Sequence, residues 1–336
     1  LTSVSILLPF HNAADTLAET LDCIRGQTLT DYELVAVDDG STDQSARLVR
    51  QAAQSDERIR LLQPGRVGLV RALNLGLAAC RSELVARMDA DDHMHPQRLR
   101  KQCDYLRDHP DIQLLATRVE MFPPGAVQEG YREYLRWQNS LLDAESIAAE
   151  IYVESPFVHP SVMFRREAVL KVGAYREGYF PEDYELWLRM HHAGMNMAKL
   201  PELLLSWRES PGRLSRTDDH YARDAFDRLR AEYLARDPRL PGDRPLAYWG
   251  AGRRTRLRAN LLIEKGFPST AWIDIDPKKI GNRIDGVPVV GPDWLADRAD
   301  RPFVLSYVTN HGARELISRH LEEMGYRRGR DYLPVG

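Results

Sequence analysis

Residues 86–96 read ARMDADDHMHP, with Asp89, Asp91 and Asp92 inside four positions at the end of an apolar run. An Asp-X-Asp spacing at a strand end can present carboxylate oxygens to a hard divalent cation. Such ions take oxygen ligands and usually only one or two protein carboxylates, water and phosphate filling the rest. A cation would offset the repulsion among three neighbouring carboxylates; the competing explanation is a solvated acidic turn. DDGSTD (38–43) has the same ambiguity, because Asp-Gly-Ser is ordinary turn chemistry. Glu182 and Asp183, in PEDYELW, suit either favourable dipole contact at a helix N-terminus or proton removal from an attacking hydroxyl.

The elements that must position these groups follow from hydrophobic spacing. VSILLPF (4–10) reads as a strand, AADTLAETLDCIRGQ (13–27) as an amphipathic helix and YELVAVDDGS (32–41) as a second strand. A helix over 42–56 follows, with Ser41 or Thr42 as its N-cap, then IRLLQPG as a strand, LVRALNLGLAACR as a helix and LVARMDADD as a strand. Strands alternating with helices imply a parallel sheet covered on both faces, an α/β fold whose ligands bind beyond the carboxyl ends of its strands. PFHN, DDGSTD and MDADD all fall at such ends.

Farther along, 121–152 is loop and helix rich in Trp, Tyr and Gln, and 159–175 reads as a strand and a short helix. A capped helix is expected over 179–194, with Leu186 and Met190 on its inner face, and a charged helix at DHYARDAFDRLRAEYLAR. The proline-rich DPRLPGDRP marks a linker at 237–244. Beyond it PLAYWGAGRR, TAWIDIDP and FVLSYVTN begin a second α/β pattern.

In order, SILLPFHNAADTLAETLDCIRGQTLTDYELVAVDDGSTD, GLVRALNLGLAAC and MDADD resemble the family 2 glycosyltransferases of the GT-A fold. HPSVMFRR, GAY, PEDYELWLRM followed by Gly194, and SWRESPGRLS extend the resemblance over residues 1–235. It implies a GT-A nucleotide-diphospho-sugar transferase domain over 1–236; the prolines set the linker at 237–244, and the α/β pattern beyond it reads as a small Rossmann-like domain over 245–336. The resemblance also implies an inverting hexosyltransferase-type enzyme, with a UDP-sugar as donor and a saccharide or glycoconjugate hydroxyl as acceptor. Pro9, His11 and Asn12 match the loop that meets base and ribose, Asp39 the position that hydrogen-bonds uracil, and Arg71 a basic residue beside base and diphosphate. Asp89 and Asp91 match the motif for Mn²⁺ or Mg²⁺, Asp91 as the direct ligand, and Asp183 of the Glu182–Asp183 pair matches the catalytic base.

One departure from the family is plain. Its Tyr-Arg-X-His segment here reads Trp207-Arg208-Glu209-Ser210, so a histidine contact to metal or diphosphate is missing. Arg208, Arg213 and Arg216 can instead contact phosphate as charged forks. Trp137 and His159 are candidates for the acceptor site, while Trp187 reads as core. In the C-terminal region WGAGRRT opens a helix after a strand, and Asp274 follows at the end of WIDID, like the first half of a dinucleotide site. Thr255 replaces the third glycine of that pattern. Structural, partner-binding or oligomerising roles compete there with a bound nucleotide, and no tightly held organic cofactor is expected elsewhere.

Composition narrows the rest. Hydrophobic residues at 43% and charged residues at 28% suit a soluble globular chain, and a net charge of −3 offers no field for nucleic acid. The three cysteines, Cys23, Cys80 and Cys103, lack metal-ligand spacing and read as buried thiols. No apolar run approaches the roughly 20 residues that span a bilayer. VSILLPF is too short for a signal-peptide core, so a cytoplasmic protein is expected, peripheral to a membrane through its substrate or a partner. Two rival functions share these features. A nucleotidyltransferase would show a glycine-rich, lysine-containing phosphate loop where PFHNAAD stands, and a non-catalytic sugar-nucleotide sensor would not need Asp91 and Asp183.

Overall fold

Near-continuous apolar runs make strands covered on both faces. VSILLPF and YELVAVD form β1 (Val4–Phe10) and β2 (Tyr32–Asp38), buried along their whole length in the computed structural model. It describes every residue except Leu1, Gly125, Ala126, Pro211, Pro241, Asp243, Asp297 and 309–311, and not the side chains of Leu214 and Ser215. Parts of SWRESPGRLS, of the proline-rich linker and of FVLSYVTN therefore lie outside the described residues.

The first sheet continues with β3 (Ile59–Leu62), β4 (Leu84–Arg87), β5 (His93–Met94), β6 (Ile112–Phe122), β7 (Met163–Arg165) and β8 (Asn196–Arg208). Their spatial order is β3-β2-β1-β4-β7-β6-β8-β5. β1 pairs in parallel with β2 and β4, and β2 with β3, whereas β7 runs antiparallel between β4 and β6. The crossovers contain helices Leu17–Arg25, Ser45–Ser55 and Leu69–Ala79. The carboxyl ends of β1, β2 and β4 consequently emerge on one edge. Leu17, Leu21 and Ile24 of the first helix join Ile6, Leu8 and Val49 in the buried core beneath that edge.

The helix after β2 starts at Ser45, not at Ser41 or Thr42. Those two residues are committed to the loop after β1: Asn12 N–H donates to Ser41 Oγ at 3.0 Å, and Thr42 N–H to Asn12 Oδ1 at 2.8 Å. Tertiary hydrogen bonds have displaced the local cap. The helix Glu182–His192 forms as expected, with Leu186, Trp187 and Met190 fully buried.

Packing divides the chain into two units, Leu1–Ile147 with Pro156–His220, and Ala148–Ser155 with Tyr221–Gly336. The division falls before the expected linker at 237–244. The helix Arg223–Leu234 and the segment 148–155 belong to the second unit, where Arg230 donates to Val153 O and Tyr152 Oη donates to Asp237 at 2.7 Å. Asp237 also accepts from Arg239 at 2.9 and 2.7 Å, so the start of the proline-rich stretch is fastened to this unit.

The second unit carries β9 (Leu246–Trp249), β10 (Ser269–Ile273), β11 (Arg283–Ile284), β12 (Val287–Val290), β13 (Phe303–Ser306) and β14 (Tyr332–Pro334) in the order β11-β12-β10-β9-β13-β14. Apart from the short antiparallel β11, its pairs are parallel. This order is that of a doubly wound sheet. Ala247, Trp249, Ile273, Val304 and Leu321 build its own core.

One turn makes a strong demand on sequence. Gly40 has φ +71°, and a Cβ there would lie 2.8 Å from the Arg66 backbone nitrogen. A left-handed residue other than glycine costs about 1–2 kcal/mol before any clash. Gly40→Ala is expected to lower unfolding free energy by at least about 1 kcal/mol, read as a lower urea midpoint. An unchanged midpoint would mean that the turn yields freely.

Candidate active site

Three loops meet at the carboxyl edge of the first sheet, as the motifs implied. Asp39 N–H donates to Phe10 O at 2.9 Å, and Met88 N–H to Leu7 O at 3.0 Å. Thr16, just before the first helix, and Thr20 within it donate to the carbonyls of Ala90 and Asp92 at 2.9 and 3.1 Å. Chain segments remote in sequence are thereby fixed around one crevice.

Asp39 is buried and already engaged. Its Oδ1 accepts from Val67 N–H at 2.7 Å and Gly68 N–H at 2.9 Å, and its Oδ2 pairs with Arg66. The carboxylate thus shapes the 66–68 loop, and a uracil contact would use a remaining lone pair. His11 is exposed, its ring nitrogen 3.3 Å from Asn12 Nδ2. Arg71 is exposed and pairs with Glu177 at 3.1 Å, an arrangement worth little in water and easily exchanged for a phosphate.

At the end of β4, carboxylate oxygens of Asp89, Asp91 and Asp92 lie within 4.8 Å of one another, the group of this kind found among the described residues. Asp92 is fully buried; its Oδ1 accepts from Arg208 N–H at 2.7 Å, and its Oδ2 has no partner. Burial, then the charges of Asp89 and Asp91, hold the Asp92 carboxyl well above the usual range. Asp91 is likewise raised by burial and by Asp89. Arg87, with only 4% of its side chain exposed, is ion-paired with Asp89. Three hard oxygen donors, one of them a buried orphan, form a donor set that fits a divalent cation.

Arg208 does not project as a free fork. Its Nε donates to Asp91 O at 2.6 Å, and its Nη2 pairs with Glu19 and lies 3.1 Å from His93 Nε2. The guanidinium therefore clamps the acidic loop to the first helix. Arg213, by contrast, stacks on Trp207 at 3.6 Å from the ring centroid and pairs with Glu209 at 3.2 Å, and Arg216 pairs with the same Glu209. The charge of Arg213 partly offsets the rise of the Asp91 carboxyl.

The second acidic pair opens the helix Glu182–His192. Asp183 is half-buried, and Tyr184 N–H donates to its Oδ1 at 2.6 Å. Burial and the adjacent Glu182 charge raise its carboxyl, against the pull of Arg87. Glu182 is buried, with its Oε1 3.6 Å from His159 Nδ1. His159 Nε2 lies 2.9 Å from Tyr175 Oη, and burial followed by the Arg87 charge lowers the imidazole pKa. His159 thus buttresses Glu182. Trp137 lies half-buried in the helix Glu129–Ser140, 6.0 Å from the Tyr134 ring, and Tyr134 in turn lies 6.5 Å from Trp207. Trp187 is core, edge-on to Phe157 and His159.

Sequence reasoning passed over Arg87, Glu19 and Arg66. Arg87 did leave a signal, since a charge inside the apolar strand LVAR is rarely buried without a partner. The other two are surface-type residues whose roles exist only through tertiary contact. In the second unit Gly250 has φ +114°, and Ala251 N–H donates to Asp274 Oδ2 at 2.9 Å. Lys279 pairs with the same carboxylate at 3.0 Å, so Asp274 is spent on closing the glycine turn. The cysteines are free; Cys23 is half-buried rather than buried, while Cys80 and Cys103 are pushed up to about 12 by burial.

A mainly parallel sheet ending in an Asp-X-Asp array, with an acidic helix start in the field of the same arginine, defines a GT-A glycosyltransferase. The sequence profile of glycosyl transferase family 2 matches residues 5–173. The amylovoran biosynthesis glycosyltransferase AmsE of Erwinia amylovora is 34% identical over 208 residues, 61% of this chain and 75% of that protein. EpsE of Bacillus subtilis is 31% identical over 296 residues, 84% of this chain and 96% of its own length. TarS of S. aureus, solved as residues 1–349 with UDP-GlcNAc, superposes with a TM-score of 0.57 at 16% identity, covering 78% of this chain and 71% of that one. The mannosyltransferase PcManGT of Pyrobaculum calidifontis, solved with GDP-Man and Mn²⁺, gives 0.51 at 22% identity, covering 70% and 62%. The chain belongs to glycosyl transferase family 2 and is a glycosyltransferase.

The buried array should weaken the fold for the sake of the site. Asp92→Asn keeps the oxygen that accepts from Arg208 but removes the one fully buried carboxyl of the three. In metal-free buffer the variant is expected to unfold at higher temperature, with a gain of about 1 kcal/mol or more. A lower melting temperature would mean that Asp92 carries an interaction beyond its Oδ1 bond.

Proposed function

We propose that this enzyme is an inverting, metal-dependent glycosyltransferase moving a hexose from a nucleoside diphosphate sugar, a UDP-sugar in the first instance, to a hydroxyl of a growing saccharide or glycoconjugate. The carrying observation is the pair of acidic groups, Asp89–Asp91–Asp92 and Glu182–Asp183, set in the field of one buried arginine. Polysaccharide assembly is supported by the amylovoran and O-antigen transferases among the relatives. The Escherichia coli relative that is 29% identical over 195 residues is a UDP-Gal-dependent β-1,3-galactosyltransferase acting on a diphosphoundecaprenol-linked sugar, which supports a uridine donor and a membrane-borne acceptor.

Asp91, with Asp89, would hold Mn²⁺ or Mg²⁺. When bound, such an ion supplies Lewis acidity that neutralises the leaving diphosphate. The end of β1 at Pro9, the loop residues His11 and Asn12 after it, the Asp39-braced segment 66–68 and Arg71 orient base, ribose and phosphate. Asp183 takes the proton of the acceptor hydroxyl as that oxygen forms its bond to the anomeric carbon. The carbon–oxygen bond to phosphate breaks on the opposite face, and its electron pair leaves with the nucleoside diphosphate. One displacement inverts the anomeric centre. Glu182, held by His159, keeps the helix start acidic, and Arg213 on Trp207 supplies a cation toward the diphosphate. The region around Trp137 and Tyr134 is offered as the acceptor side. The second unit takes no part in this chemistry; partner binding, self-association or a nucleotide ligand is its proposed role.

Turnover of a panel of nucleotide sugars by the purified enzyme, with Mn²⁺ and with excess chelator, tests the reading. Chelator should abolish transfer, and Asp91→Asn should lower it at least about a hundredfold with the fold intact. Full turnover in chelator would remove the metal assignment.

The base has its own test. A carboxyl raised in the free enzyme must lose its proton to act, so kcat/KM should rise with pH above the ordinary carboxylate range. Glu182→Gln removes the neighbouring negative charge and should move that rise to lower pH. Asp183→Asn should cost about a hundredfold to ten-thousandfold in turnover with donor affinity little changed. A rise in the same place for Glu182→Gln would assign the titration to another group.

A further inference from the structure

Arg87 is the last residue of β4, and its main chain is fixed on both sides. Its N–H donates to Val162 O at 3.0 Å, and its carbonyl accepts from the buried Arg98 at 3.1 Å. The side chain cannot swing to solvent, since only 4% of it is exposed. From this fixed base Nη1 pairs with Asp89 Oδ1, one oxygen of a carboxylate that stands within 4.8 Å of Asp91 and Asp92. The array is therefore three carboxylates with a permanent guanidinium attached to the first.

Charge counting shows what this arrangement does. Three bare carboxylates around a hard dication would make a site that captures the ion with no substrate present. With Asp89 compensated, the array offers less than its three formal charges, and the guanidinium adds a repulsive cation beside the ion. The missing oxygens and charge then have to come from elsewhere, and a diphosphate supplies both. We propose that Arg87 is the positioning residue of the metal site, fixing Asp89 through one oxygen and cancelling its charge so that a divalent ion binds firmly only together with the donor diphosphate. The inference rests on the metal-dependent reading above and goes beyond it, because it assigns the order of assembly to a residue that touches neither ion nor donor.

Calorimetric titration of Mn²⁺ into chelator-treated protein tests it, alone and with UDP or GDP present, against blank titrations of the nucleotides. The wild type should bind Mn²⁺ weakly alone and at least about tenfold more tightly with a nucleoside diphosphate. Arg87→Met, or Arg87→Gln if the methionine variant fails to fold, should bind Mn²⁺ alone at least about tenfold more tightly than the wild type. Its gain from nucleotide should shrink by a similar factor. Arg87→Lys keeps the charge and should stay within about threefold of the wild type in both titrations.

Neutral variants that bind Mn²⁺ alone no more tightly than the wild type would overturn the role of Arg87 while leaving metal dependence standing. So would a lysine variant that behaves like the methionine one. No Mn²⁺ binding by the wild type even with nucleotide would overturn the metal-dependent reading and this inference with it.

Discussion

The buried guanidinium of Arg87 is the constraint around which the catalytic unit is organised. It is ion-paired with Asp89, and its field reaches Asp91, Asp92, Glu182 and Asp183. Burial works against its charge, but the surrounding carboxylates outweigh that cost and raise its pKa. Without such a cation, five acidic side chains at one sheet edge would repel one another in a medium that screens poorly. The arrangement is tolerable rather than stabilising.

The rest of the unit keeps those charges in place by spending ordinary polar groups on backbone. Thr16 and Thr20 reach the carbonyls of the acidic loop, and Arg208 ties that loop to Glu19 and His93. Asp39 plays the same part on the other side, where three donors hold it to residues 66–68. Loops carry the chemistry, but each is fastened to strand ends by hydrogen bonds that leave little freedom. Arg213 is likewise engaged, stacked on Trp207 and paired with Glu209.

The second unit is a sheet of doubly wound order with its own core, and it recruits an eight-residue segment, Ala148–Ser155, from the middle of the chain. That segment is bound through Arg328 to Glu150 at 2.6 Å and through Tyr152 to Asp237. The glycine turn after β9 looks ready for a nucleotide in sequence, yet its acid is engaged by the turn itself and by Lys279.

How much of this was legible in the sequence depends on the range of the interaction. Strands covered on both faces write themselves as continuous apolar runs, so β1, β2 and the edge where PFHN, DDGSTD and MDADD converge could be read directly. The acidic array and the pair Glu182–Asp183 were visible as well, because each lies within a few residues. The start of the helix at Ser45, the engagement of Asp39 and Arg208, the buttress of His159 on Glu182 and the reassignment of Arg223–Leu234 and 148–155 were not. Each depends on a partner tens of residues away, and local spacing carries no information about which distant donor will arrive. The sequence by itself determined the parallel sheet and the acids at its edge, because hydrophobic period and charge clustering are local. Tertiary structure alone decided which charge answers which: it set Arg87 in a buried strand end beside Asp89, where a guanidinium cannot remain without a carboxylate.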